Sequence, residues 1–153
     1  MKARTYRKHV EKKLKESLLA TADSSAAVAH SKTSPAGKAI ESIMTALPGL
    51  LAVAVVDLNS GLALASHSNS PGINPETAAT YNTEVVRQKQ KALVALKITD
   101  EEIQDILITL TNQLHLLMLS SDGTRFIYLV VNLRETNLAV AREVLRAHVD
   151  EIN

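Results

Sequence analysis

Apolar positions along this chain follow two spacings. Helix-like stretches, with apolar residues three or four apart, are separated by short apolar runs bounded by turn residues. Ile40, Ile43, Met44 and Leu47 predict an amphipathic helix over Ala39–Leu47, which Pro48-Gly49 stops. Leu50–Leu58 reads as a strand, Asn59-Ser60-Gly61 as a turn, and Leu62–His67 as the returning strand. Asn74-Pro75-Glu76 places an N-cap residue, a proline at the first helical position and an acid in the first turn, so a helix should run from there to about Lys97. Asp105–Thr111, Leu114–Ser120 and Arg125–Leu133 read as three more strands, with turns at Asn112-Gln113 and Ser121-Asp122-Gly123. Thr136–Ile152 reads as a last helix, with Leu138, Ala141, Val144, Leu145, His148, Val149 and Ile152 on one side.

The order helix, two strands, helix, three strands, helix predicts an α+β fold: a five-stranded antiparallel sheet with helices on both faces, preceded by an N-terminal helical arm. The first hairpin supports helices on both faces. If Leu58 pairs with Gly61, Ala54 opposes Ala65 and Val56 opposes Ala63. One face then carries Ala52, Ala54, Ala63 and Ala65, and the other Val53, Val55, Leu62 and Leu64. Both faces are apolar, so both need cover.

The central helix has a second requirement. Its apolar residues come in pairs seven apart, Ala78-Ala79, Val85-Val86 and Ala92-Leu93, with Asn82, Lys89 and Leu96 on the same face. A seven-residue repeat favours packing against a nearly parallel or antiparallel helix. The stripe is broad enough to touch both its own sheet and a second helix. The strand Ile106–Leu110 has an edge that a two-fold mate would hide. The expected interface of a homodimer is therefore Ala78, Asn82, Val85, Lys89, Ala92, Leu96, Ile106, Ile108 and Leu110.

The first 37 residues differ from the rest. Tyr6, Val10, Leu14 and Leu18 recur every four positions over Lys2–Leu19, among many charged residues, and predict a helix with a narrow apolar stripe. Residues 20–38 are rich in Ala, Ser and Thr and read as a linker, which divides the chain into an arm (1–37) and a folded domain (38–153). The net charge of the chain is +1. Residues 1–38 hold nine Lys/Arg and three Asp/Glu, and residues 39–153 hold eight and thirteen, a balance of +6 against −5. A basic arm on an acidic body is expected to dock on its own chain or its twin, or to be a solvated face; binding of a polyanion such as nucleic acid or a lipid surface is the less favoured use.

Composition narrows the chemistry. The chain has no Cys and no Trp, which removes disulfides, thiol nucleophiles and cysteine-bearing metal sites. Together with the lack of an export signal or a long apolar segment, this makes the cytoplasm the expected compartment. His9, His30, His67, His115 and His148 show no metal-ligand spacing. His115 alternates with apolar residues and reads as a satisfied core or edge histidine. His67, Ser66 and Asp57 imitate a triad in sequence, but hairpin pairing puts Asp57 about 17 Å along the strand from His67, at ~3.4 Å per residue. No Walker loop and no G-x-G-x-x-G occurs. Asp100-Glu101-Glu102 lacks the alternation and glycine of a calcium loop. No catalytic residue, metal or cofactor is expected.

Three segments carry a resemblance. They are Ala46-Leu47-Pro48-Gly49-Leu50 continuing to Asp57, Ser60-Gly61-Leu62-Ala63-Leu64-Ala65-Ser66, and Asp122-Gly123-Thr124 followed by a strand and Thr136-Asn137-Leu138-Ala139-Val140-Ala141-Arg142. In this order and spacing, residues 38–153 resemble the Roadblock / dynein light-chain family. The arm lies outside that pattern. The resemblance implies a profilin-like topology and a non-enzymatic scaffold. It implies a dimer whose middle strands extend one sheet into the next and whose central helices lie side by side. It also implies a partner among small GTPases or motor, motility or polarity complexes. A small-molecule-sensing domain of similar topology is the alternative, and it would need a roomy hollow beside the hairpin alanines.

Overall fold

The computed structural model describes residues 8, 10–13, 15 and 32–152. Tyr6, Leu14, Leu18 and residues 20–31 of the predicted linker lie outside the described residues. The described positions between 8 and 15 are helical and exposed.

The described body is an antiparallel sheet with helices on both faces. Its elements are α1 (Pro35–Ala46), β1 (Leu50–Asp57), β2 (Ala63–Ser68), α2 (Pro75–Ala95), β3 (Asp105–Thr109), β4 (Gln113–Leu119), β5 (Arg125–Asn132) and α3 (Leu138–His148). The strand order is β2-β1-β5-β4-β3, so β2 and β3 are the edges. Helices α1 and α3 cover one face, and α2 covers the other over β1 and β2.

Local chemistry sets the helix starts. α1 begins at Pro35, four residues before the predicted Ala39. Ser34 accepts a hydrogen bond from the Gly37 amide at 3.0 Å, and Pro35 takes the first helical position. That extra turn buries Ala36 and Gly37. At α2, Asn74 Oδ1 accepts from the Glu76 and Thr77 amides, both at 3.0 Å. α3 is shorter than predicted, because Asn137 is its N-cap and it ends at His148.

The hairpin differs from the predicted register. Val56 pairs with Ala63 as expected, but Val55 pairs with Ala65 and Ala54 with Ser66. A bulge inserts Leu64 between the two pairings. One extra residue on one strand turns every later side chain to the opposite face. Ala65 therefore leaves the alanine face and packs with Val53 and Val55 beneath α1 and α3. The bulge follows a tightly bonded turn. Asp57 accepts from the Ser60 amide at 2.8 Å and its hydroxyl at 2.7 Å, which holds the Asp57 carboxyl below its usual range, and Gly61 adopts a φ of 75°.

Two apolar layers result. Beneath α1 and α3 lie Ile43, Leu47, Val53, Val55, Leu116, Ile127, Leu129, Leu145 and Ile152. Beneath α2 lie Ala52, Ala54, Val56, Leu117, Phe126 and Tyr128, closed by Ala79 and Val86 of the helix. The small side chains of β1 let α2 approach closely, and Ala52, Ala54 and Ala79 are fully buried. Edge strand β3 is tied down from the other face: Arg142 of α3 donates from Nε and Nη2 to the two Asp105 carboxylate oxygens, at 3.1 and 2.9 Å.

Candidate functional site

α2 has more apolar surface than its own sheet uses. Pro75, Ala79, Thr83 and Val86 are buried against the sheet. The flank beside them holds Ala78, Asn82, Val85, Ala92 and Leu93, all half-buried. The end of the helix is barer, with Val94 73% and Leu96 68% exposed. Arg87 fixes the helix before this end by donating to the Leu58 and Asn59 carbonyls at 3.0 and 2.7 Å.

β3 supplies a second unfinished surface. Ile106 and Ile108 are register partners of Leu117 and His115, so they share the α2 face of the sheet. Both are half-buried, and Leu110, just past the strand, is 47% exposed. The outer edge of β3 has no strand partner among the described residues.

A line of polar side chains runs from α2 over β5 to β4, alongside β3. The Asn82 side chain of α2 interacts with the Tyr128 hydroxyl on β5. That hydroxyl lies 2.9 Å from His115 Nδ1 on β4, and His115 Nε2 lies 3.0 Å from Gln113 Oε1. Burial pushes the Tyr128 phenol up to about 12, against a smaller opposing effect of Asn82. Burial also lowers the His115 pKa. Thus His115 is a satisfied histidine, as its alternation predicts. Its bond to Tyr128 and the link to Asn82 went unpredicted, although His115, Leu117 and Leu119 are in phase along β4.

Of the predicted interface residues, Asn82, Ile106 and Ile108 converge on this strip. Ala78, Val85 and Ala92 continue it along the helix flank. Lys89, Leu96 and Leu110 are exposed around it. Sequence periodicity missed Val94 and Ile98, which are also exposed. The strip offers a shaped, mostly apolar surface with one neutral polar line through it.

Elsewhere the geometry is poor for chemistry. His67 Nε2 bonds Asn69 Oδ1 at 2.7 Å, and Asp57 is engaged with Ser60. No group of three or more His, Cys, Asp or Glu among the described residues is placed to hold a metal ion. A recess of about 710 Å³ lies between β2 and the start of α2, open to solvent, not under the hairpin alanines. No described helix is long and apolar enough to cross a membrane.

No family model matches the chain, and no curated protein matches it in sequence. Solved structures do match in shape. The gliding protein MglB from Thermus thermophilus superposes with a TM-score of 0.64 at 15% identity, covering 77% of this chain and 87% of that one. An MglB solved in a tetrameric arrangement gives 0.63 at 15% identity, covering 77% and 87%. A Roadblock/LC7 domain from Streptomyces avermitilis gives 0.62 at 13% identity, covering 73% and 89%.

Proposed function

We propose that this chain, which has the Roadblock/LC7 fold, is a non-enzymatic homodimeric interaction module serving a small GTPase or a motility or polarity complex. The observation that supports this best is the strip between α2 and β3. It is apolar, it includes a strand edge with no partner among the described residues, and the described residues leave it partly uncovered. An edge strand such as Asp105–Thr109 is a template for pairing, and a two-fold mate removes both edges at once. In that arrangement the two β3 strands join two five-stranded sheets into one. The flanks bearing Ala78, Asn82, Val85, Ala92 and Leu96 then lie beside their copies. A stable pair needs on the order of 800 Å² from each partner.

The likeness to MglB supports the choice of partner class, since one such structure is of a gliding protein and another has a tetrameric arrangement. The close packing of Ala52 and Ala54 on α2 disfavours the small-molecule alternative, which needs space there. Sedimentation equilibrium at micromolar concentration tests the pair: it should give twice 16.6 kDa. A monomer refutes it. Purified small GTPases in GDP and GTP forms, titrated with the full chain, test the second half: binding to one nucleotide state over the other is expected, and a dimer that binds neither form refutes the regulatory role.

A further inference from the structure

We propose that the hydrogen-bonded line Tyr128–His115–Gln113, with Asn82 beside it, makes self-association of this chain acid-sensitive: the pair forms around a neutral His115 and loosens when the imidazole takes up a proton. This rests on the homodimer described above and adds a condition to its assembly.

The hydrogens in the line can be placed by elimination. Gln113 Oε1 only accepts, so His115 Nε2 carries the hydrogen. In the neutral ring Nδ1 is then an acceptor, so the Tyr128 hydroxyl donates to it. The phenol oxygen is left to accept from the Asn82 amide. Every member is satisfied, and none is charged.

Protonation disrupts that order. A hydrogen on Nδ1 meets the hydrogen of Tyr128. The hydroxyl must turn its hydrogen away from the ring, towards Asn82 or water. One proton on β4 thus breaks the donation from β5 and leaves a charge on the α2 face of the sheet, beside Ile108 of β3.

Among the described residues, no charged group is placed to stabilise the cation. β3 contributes Ile108, the register partner of His115, and Asp105 faces the other side of the sheet, held by Arg142. β5 contributes Val130 and the Tyr128 phenol, which stays neutral. β4 itself contributes Gln113 and Leu117. The charged residues of α2 nearest Asn82 are Glu84 and Arg87, which pair with each other, while Lys89 is exposed. Leu110, Thr111 and Asn112 beyond β3 carry no charge. His115 is only half-buried in one chain. A second copy over the strip removes its remaining water, so the pair must hold the imidazole more firmly neutral than the single chain does.

The linkage sign follows. The free chain binds more protons than the paired one, so Kd rises as pH falls. With one His115 per chain, log Kd changes by up to about two per pH unit. Sedimentation equilibrium of the full chain at pH 7.5 and 5.5, at constant ionic strength, reads this directly. The wild type should weaken several-fold, and His115→Gln should keep one Kd at both pH values. His148→Gln, altered on α3 away from the strip, should respond as the wild type does. A wild-type dimer with equal Kd at both pH values overturns the proposal and leaves the homodimer standing, as does a His115→Gln dimer that weakens in acid as much as the wild type. A wild type already monomeric at pH 7.5 overturns the homodimer as well. Should His115→Gln fail to fold, the wild type alone decides: the His115 ring must titrate at lower pH in a concentrated sample than in a dilute one, and equal titration overturns the proposal.

Discussion

Replacing Ile106 by lysine separates the stability of one chain from the stability of a pair. Ile106 sits on β3, opposite Leu117, and is half-buried. In a single chain the lysine stem can lie along the same apolar surface while its ammonium reaches water. The fold should lose only about 1 kcal/mol. In the paired state the same position is covered. Full burial of an isoleucine is worth roughly 1.5–3 kcal/mol, so about 1 kcal/mol of it remains to be gained on pairing, and the lysine forgoes that. Trapping an ammonium adds several kcal/mol, reduced here to about 2 because the strand end lies near solvent. Two copies make the loss about 6 kcal/mol per dimer, or ~10⁴-fold in Kd at ~1.4 kcal/mol per tenfold. Sedimentation equilibrium from nanomolar to high micromolar concentration measures it, with thermal unfolding of a dilute sample as the check on fold. Thr109→Lys, at an exposed position on the other face of β3, should change neither. A folded Ile106→Lys chain that pairs with wild-type Kd would refute the placement of β3 in the seam. So would a Thr109→Lys chain that loses the dimer equally.

Gly49→Ala should cost about 2–3 kcal/mol in denaturant unfolding, comparable to other overpacking changes. A Cβ there would lie 2.2 Å from Thr136 Oγ1 and 2.9 Å from Glu135 Cβ, and adding Thr136→Ala should recover part of the loss. Asn74→Ala should cost ~1 kcal/mol, because two amides at the start of α2 lose their acceptor; an unchanged unfolding midpoint would show that the cap is dispensable. Asp122 should contribute to acid unfolding. Bonds from the Thr124 amide, the Ser120 hydroxyl and the Thr124 hydroxyl lower its pKa from 3.8 to about 2. That stability is fully present above 3.8 and is lost as pH falls towards 2. Asp122→Asn should therefore flatten the fall in unfolding midpoint over this window, and an identical pH profile would count against it.

Element order was legible because both signals for it are local. Alternation with turn residues marked the five strands, and Asn74-Pro75-Glu76 marked the start of α2 to the residue. The bulge at Leu64 was not legible. The first half of β2, Ala63-Leu64-Ala65, is apolar on both faces and the second, Ser66-His67-Ser68, is polar on both, so neither reports which register is used, and one inserted residue moves Ala65 without breaking the pattern. The start of α1 was hidden for a different reason. Ser34-Pro35-Ala36-Gly37 has linker composition, yet Ser34 caps the helix and Ala36 joins the core. Small residues bury well where two elements approach closely, and composition does not report that approach.

The residues that carry the family resemblance turn out to build the frame. Gly49 makes room for the foot of α3, Asp57 and Asp122 bond the two hairpin turns, Asn137 caps α3, and Arg142 clamps the edge strand through Asp105. Each is occupied by its structural partner, which leaves it poorly placed to act on anything else. The candidate surface is made of other residues, and its signal is a conflict between periodicity and burial. Val85, Ala92 and Leu96 continue the apolar spacing of α2 beyond what β1 and β2 can cover. Ile106 and Ile108 complete an apolar face on a strand with one side open. Spacing alone states that these positions avoid water, but not whether their own chain or another provides the shelter. The folded positions of α2 and β3 show how far the described sheet and helices reach, and the pair proposed above would supply the rest of the shelter. The polar line through His115 is hidden at the same level: a histidine in phase with leucines looks like core filler until Tyr128 and Asn82 are placed beside it by three different elements.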